Sequence, residues 1–288
     1  MSRPSAPGLP APRVTQEEVR RLCEFLYRRT GMSFDDSKRY YIDRRVAERM
    51  MATGSASFQS YFAILRVDAD HEIEHLVNAF TINETYFNRE EHHLRCMTSD
   101  LLPEILSRKR VGDPIRIWSI PCSTGEEPYS IGIWLLENWP EVDRYNIEIV
   151  GSDIDTRALD AAEQGLYGER ALMRLSPEVI ERYLQPAPGG MHRIVPELRH
   201  SIQFTRVNLV DAPQMTGHGV FDIIFCRNVL IYFDDASRRV AAENLYDCLQ
   251  PGGFVCLGHS ETMSRISPLF RVCRFPDAIV YQKPEEEQ

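Results

Sequence analysis

Residues 221–233, FDIIFCRNVLIYF, limit what this chain can fold into more than any other stretch. Phe221, Ile223, Ile224 and Phe225 form an apolar run too short for a helix, so they read as a buried strand. Arg227 and Asn228 follow at once, where a parallel strand would reach its carboxyl edge, and Tyr232 comes four residues later. Ligands of open α/β sheets bind just outside that edge. Three other strands end the same way. Residues 115–120, IRIWSI, run into PCSTGEEPYSIGIWLLEN, a loop that becomes a helix with Tyr129, Ile133 and Leu136 at helical spacing. YNIEIVGSDID (145–155) alternates and ends in Asp153 and Asp155, and SIQFTRVNL (201–209) ends in Asn208 and Leu209. Strand, helix, strand, helix, strand, with polar groups at each carboxyl end, is the pattern of a doubly wound, Rossmann-like α/β domain. The acid after the second strand is where such folds hold ribose hydroxyls, so a nucleoside is expected.

Missing features narrow the choice of nucleoside. The first turn carries Gly125 but no G-x-G-x-x-G, and no G-x-x-x-x-G-K-[ST] occurs, so neither phosphate cradle is supported. Glu126 and Glu127 stand in that loop instead. They would repel phosphates and suit a positively charged ligand. S-adenosylmethionine fits: an adenosine without phosphate, bearing a sulfonium and an α-ammonium. Residues 249–261, LQPGGFVCLGHSE, lead through a turn into a strand, and RVCRFPDAIVYQK (271–283) reads as two extended segments about a Phe-Pro-Asp turn. A terminal antiparallel hairpin of this kind completes the sheet of class I methyltransferases.

The N-terminal part is different. Helices are expected over roughly 15–29, 36–52, 57–66 and 70–81, with Val19, Leu22, Cys23 and Leu26 on the apolar face of the first and Thr15 and Glu18 forming its capping box. Ile42, Val46 and Met50 should face inward in the second, while Lys38, Arg45 and Arg49 share a neighbouring stripe, widened by Arg39 and Arg44. SPEVIERYL (176–184) reads as a helix capped by Ser176, and a small antiparallel β insert is expected over about 185–200, around Gly189 and Gly190. The net charge of −9 argues against a nucleic-acid partner. Seven cysteines without C-x-x-C spacing fit reduced thiols in the cytoplasm better than a disulfide framework. Residues 1–13 hold four prolines and no apolar signal region, and are expected to be a disordered tail. No apolar run is long enough to enter a membrane as a helix.

One motif points elsewhere. HEIEH (71–75) matches H-E-x-x-H, in which two histidines bind zinc and Glu72 would be the general base of a hydrolase. No third ligand follows at a familiar spacing, so His71, Glu72, Glu74 and His75 are expected to be a solvated face opposite Ile73, Leu76, Val77 and Phe80. His92 and His93, adjacent in EEHH, should point to different helix faces and make a poor metal pair. No metal is expected.

NETYFNRE (83–90), STGEEPYS (123–130), SDID (152–155), VNL (207–209), FCRNVLIYF (225–233) and GHSE (258–261), in this order, resemble the chemotaxis receptor methyltransferases, the CheR-type family. The resemblance spans nearly all of residues 14–283. It implies an all-α N-terminal domain over 14–82, a methyltransferase domain over 83–288, and S-adenosylmethionine as cofactor. It further implies methyl transfer to glutamate side chains on the cytoplasmic helical bundle of chemoreceptors, by a monomer. Asp153 would then accept from the ribose, and Asn208 with the Leu209 backbone would read the adenine. Arg227 and Asn228 would flank the adenosine and amino-acid parts, with Glu127 facing the α-ammonium group. Asn83, Thr85 and Arg89 would close over methionine and sulfur, and Arg89 and Tyr232 would orient the reacting groups. Lys38, Arg45 and Arg49 would dock the receptor, with Glu48 interrupting the stripe. The insert hairpin is shorter than in relatives that bind a receptor tether, which implies tether-independent recognition. Because a glutamate is already ionised at neutral pH, catalysis would rest on positioning and water exclusion. The competing reading is a binding module without turnover.

Overall fold

The computed structural model describes residues 14–67 and 71–285, so the tail expected over 1–13 lies outside the described residues. The chain divides into two compact units, Met1–Thr81 and Ile82–Gln288. The first consists of helices α1 (Gln16–Thr30), α2 (Arg39–Ala52), α3 (Phe58–Val67) and α4 (His71–Phe80). Thr15 and Glu18 exchange their capping bonds, and Gly31, at φ 72°, ends α1 in the left-handed conformation that a side chain disfavours. Leu22, Leu26, Ile42, Val46 and Met50 are buried as their spacing requires.

Glu72 departs from expectation. It is 4% exposed rather than solvated, and Ile73 is only half-buried. Arg49 donates to both its carboxylate oxygens (Nε–Oε1 2.9 Å, Nη2–Oε2 2.6 Å) and Tyr61 adds a third bond at 2.8 Å. A buried carboxylate survives only when paired in this way. α4 therefore turns its whole C-terminal half inward, Leu76 through Phe80, and Glu72 comes inward with it.

The second unit is built on strands β1 (Pro114–Ser119), β2 (Asn146–Asp153), β3 (Leu166–Tyr167), β4 (Leu184–Ala187), β5 (Met191–Ile194), β6 (Ile202–Arg206), β7 (Phe221–Cys226), β8 (Leu249–Leu257), β9 (Arg271–Arg274) and β10 (Ile279–Gln282). Seven form one sheet in the order β6-β2-β1-β7-β8-β10-β9. β6, β2, β1, β7 and β8 run parallel, and β10 and β9 close the edge antiparallel. Ile117 pairs with Ile149 on one side and Ile223 on the other, because strands covered on both faces must be apolar throughout. Helix α5 (Glu126–Asn138) follows β1, and α6 (Thr156–Gln164) follows β2. Tyr129 and Ile133 are buried in α5 as expected, but Leu136 is 48% exposed and Leu135 takes the inward place. Chain order reverses at β1, with β2 to one side and β7 to the other, so the loops after β1 and β7 face a common crevice.

The insert is a three-stranded antiparallel sheet, β3-β5-β4. Gly189 and Gly190 turn the chain between β4 and β5, both with positive φ. The expected span of 185–200 is corrected at both ends. The third strand, β3, lies earlier in the chain, and Pro196–Ser201 is a short helix. Ser176 caps the helix Pro177–Tyr183 by accepting from Val179. No helix among the described residues is long and apolar enough to cross a membrane.

Candidate functional site

The crevice is made by three segments: the loop after β1, the loop after β7, and residues 82–90, which precede the sheet. Thr85, Arg89, Ser123, Glu127, Arg227, Asn228 and Tyr232 all line one cleft of ≈ 90 Å³. A second cavity of ≈ 500 Å³ takes in Asn83 and Thr85 with Gly168 and Arg170. The cleft alone is smaller than the ~300 Å³ usual for small-molecule sites, so it corresponds to only part of a ligand's volume.

Arg227 joins these segments. Its side chain is 5% exposed and meets Glu127 Oε2 at 2.5 Å from both Nε and Nη2. Nη1 donates to the Arg89 carbonyl at 2.6 Å and lies 3.6 Å from Glu90. Ser119, the last residue of β1, donates to the other oxygen of Glu127 at 2.7 Å. Glu127 is thus held by Arg227 and Ser119 and does not stand free, as a sole partner for an α-ammonium group would. Glu126 is turned inward, accepting from Thr124, and burial pushes its carboxyl group up. Both acids sit in the first turn of α5, where the helix dipole favours negative charge.

Asp153 ends β2 and is 3% exposed. Its oxygens accept from the backbone N–H groups of Ser123 (2.8 Å) and Asp155 (2.9 Å). Burial nevertheless pushes its pKa up to about 6, the backbone bonds only partly opposing it. Asn83 bridges the same corner, donating to Asp155 at 2.8 Å and accepting from Ser123 at 3.2 Å. Gly125, at φ 93°, cannot be replaced without strain, since an added Cβ would lie 2.7 Å from the Ala162 Cβ of α6. Four non-glycine residues among the described ones have positive φ: Asn88, Glu90, Ser123 and Asn228. All belong to these three segments.

The expected residues are therefore only partly gathered. Thr85, Arg89, Glu127, Arg227, Asn228 and Tyr232 share the cleft, and Asp153 reaches it through Ser123. Asn208 and Leu209 lie beyond β6, outside the cleft lining. Asn208 accepts from Val210 at 3.2 Å, and the Leu209 carbonyl accepts from Asn244 at 2.9 Å. Arg89 donates to the Glu84 carbonyl at 2.5 Å. Of the docking stripe, Lys38 is exposed and the Arg45 side chain is 34% exposed, 3.2 Å from Glu48. Arg49 is corrected: committed to Glu72, it points into its own unit and is not offered to a partner.

Glu261, quoted only as part of GHSE, has a place that sequence reasoning did not assign. One oxygen accepts from the backbone of Asn228 (2.7 Å) and Gly258 (2.9 Å), and the other from Leu230 (2.7 Å). It thereby fixes Asn228 at φ 60°. The expectation for EEHH is also corrected. The rings of His92 and His93 lie 4.3 Å apart, and Glu90, His92 and His93 could bring one ligand atom each within 4.8 Å. Glu90 is already engaged, by His259 at 2.9 Å as well as by Arg227. Burial opposes its ionisation, yet the nearby His93, the hydrogen bond from His259 and the Arg227 charge hold its carboxyl group well below the usual range.

The donor set fits S-adenosylmethionine. Asp153 accepts from backbone N–H groups and still has acceptor capacity for hydroxyl donors such as a ribose. The glycine turn after β1 lets backbone come close, and no phosphate-binding loop is present. Comparison with known proteins agrees. Residues 17–81 match the family model described as CheR methyltransferase, all-alpha domain, and residues 83–279 match CheR methyltransferase, SAM binding domain. A chemotaxis protein methyltransferase 2 of Vibrio cholerae serotype O1 is 44% identical over 274 residues, covering 95% of each chain. The chemotaxis protein methyltransferase of Salmonella typhimurium is 35% identical, over 88% of this chain and 86% of its own. Among solved structures, the N-methyltransferase NodS from Bradyrhizobium japonicum in complex with S-adenosyl-L-homocysteine matches at TM-score 0.39 and 17% identity, over 78% of this chain and 98% of its own. With both of its units matched by family models, the chain belongs to the CheR methyltransferase family, and S-adenosylmethionine is its cofactor.

Proposed function

We propose that this chain methylates glutamate side chains of chemoreceptor cytoplasmic domains, giving the methyl esters used in chemotaxis adaptation. The observation that carries the acceptor class is the state of the cleft's acids. Glu127 is bound to Arg227, Glu84 is paired with Arg170 at 3.2 Å, and no histidine among the described residues lines the cleft. An amine or hydroxyl acceptor needs a base to take its proton, whereas a carboxylate, with a reference pKa near ~4.3, arrives deprotonated. The relatives, which are chemotaxis protein methyltransferases, support chemotaxis as the setting.

When bound, S-adenosylmethionine supplies a methyl group activated by its sulfonium charge. The chain's own residues hold and orient. In this reading Asp153, Asn208 and the Leu209 backbone hold the adenosine, while Glu127, Arg227 and Asn228 frame the amino-acid part. Asn83 and Thr85 close over the sulfur. Arg89 and Tyr232 orient the acceptor carboxylate, Arg89 loosely enough to leave its nucleophilicity intact. Lys38 and Arg45 dock the receptor bundle. The enzyme works as a monomer in the cytoplasm, a compartment that suits its seven free cysteines.

The experiment is incubation with methyl-labelled cofactor and receptor cytoplasmic fragments. Base-labile label on receptor glutamates is expected. Base-stable label, or none, would overturn the acceptor class.

A further inference from the structure

A cavity of ≈ 420 Å³ adjoins the cleft, the two sharing Ile231 in their walls. Arginines dominate it. Arg238 and Arg239 come from the first turns of α7 (Asp235–Asp247), and Arg265 comes from the short helix Met263–Arg265. Arg238 is held in place, donating to the Leu230 carbonyl at 2.9 Å and to Asp235 at 3.2 Å. Arg239 and Arg265 are exposed and make no ion pair among the described residues. Two acids line the same space, and both already have partners: Asp235 is paired with Arg238. Glu261 spends both oxygens on the backbone N–H groups described above.

We propose that this cavity receives an acidic side chain of the same polypeptide segment that presents the methyl acceptor, making it a specificity site. The proposal rests on the glutamate reading above. A chain of net charge −9 repels an acidic partner at long range, so such a substrate needs a local positive surface beside the reacting centre. Guanidinium groups suit that task, because their planar fork meets a carboxylate through two parallel bonds. On a helical substrate, an acid three or four residues from the acceptor lies one turn away on the same face. It could then enter the neighbouring cavity while the acceptor occupies the cleft. Preference would follow: acceptors flanked by acids at that spacing should outrun isolated ones.

The test uses the full chain with Arg239→Gln/Arg265→Gln and Arg239→Glu/Arg265→Glu. With a receptor cytoplasmic fragment as substrate, KM should rise about tenfold for the glutamine pair, as expected for one lost charge-assisted contact, and further for the glutamate pair. The value of kcat and the affinity for S-adenosylhomocysteine should hold, and the difference should shrink in high salt. Unchanged KM in both variants overturns the proposal. A parallel loss of S-adenosylhomocysteine affinity would assign the cavity to the cofactor instead. If the wild type methylates no receptor glutamate, the function reading fails, and the cavity is then judged by fluorescence anisotropy. A glutamate-rich helical peptide bound by wild type and released by the glutamine pair sustains it. Equal binding by both proteins, or binding of inorganic phosphate without the peptide, sinks it.

Discussion

In the proposed function Asp153 holds the ribose, and its raised pKa should then make cofactor binding depend on pH. Its folded pKa of about 6 stands above the ordinary 3.8. A ribose that donates hydrogen bonds to the carboxylate favours the ionised form, so binding must expel the proton wherever the free protein carries one. Affinity for S-adenosylhomocysteine should be flat above about pH 7 and fall roughly tenfold for each pH unit below about 6. Calorimetry in buffers of different ionisation enthalpy should show about half a proton released per ligand near pH 6. Stability runs the other way. A carboxyl group whose folded pKa is raised stabilises the fold fully below its unfolded pKa, and loses that contribution as pH rises through the folded one. The gap corresponds to on the order of 3 kcal/mol. Asp153→Asn removes the titration but leaves one backbone N–H facing an amide nitrogen, at a cost of about 1–3 kcal/mol. The variant should therefore be the less stable protein near pH 4 and equal or exceed wild type near pH 7, with its weakened cofactor affinity independent of pH. Cofactor affinity that stays level from about pH 5 to pH 7 in the wild type, without proton release, would refute the assignment of Asp153 to the ribose.

Three further outcomes are expected. Glu261→Ala strips three backbone donors of their acceptor and should lower stability by about 2–4 kcal/mol in urea denaturation, with Glu261→Gln recovering part of it. Wild-type stability in the alanine variant would mean the clamp is dispensable. Glu72→Ala leaves the Arg49 guanidinium half-buried without its partner and should cost about 3–5 kcal/mol, and the double variant with Arg49→Ala should cost less than the sum of the two. Lys38→Glu/Arg45→Glu should raise KM for receptor in a salt-sensitive manner while S-adenosylhomocysteine affinity stays constant; an unaltered KM removes this helix from substrate docking.

Local signals carried well into the structure. The Thr15 capping box, the Ser176 cap, the Gly189-Gly190 turn and the four apolar strands all describe interactions within a few residues, and all form as expected. What failed depended on partners far along the chain. Glu72 looks like part of a solvated face until Arg49 and Tyr61 arrive from α2 and α3. The same pairing turned Arg49 from an offered cation into an internal one. A two-residue strand such as β3 has no period to detect. Glu261 lies 33 residues from the loop it holds, and a lone acid after a strand carries no sign of what it clamps. The cleft residues were legible because strand ends on a parallel sheet converge by topology. Their mutual bonds, above all Arg227 with Glu127, were not.

The four side chains held at positive φ around the cleft set a limit on how this enzyme can be improved. Each such conformation costs on the order of 1 kcal/mol for a non-glycine residue, and glycine would adopt it freely. Selection for heat resistance alone would therefore favour glycine at Asn88, Glu90, Ser123 and Asn228. Two of those replacements would delete a side chain that ties the crevice together, Glu90 from His259 and Arg227, and Ser123 from Asn83. A hardier descendant obtained that way should come out slower, its loops more comfortable and less well aimed.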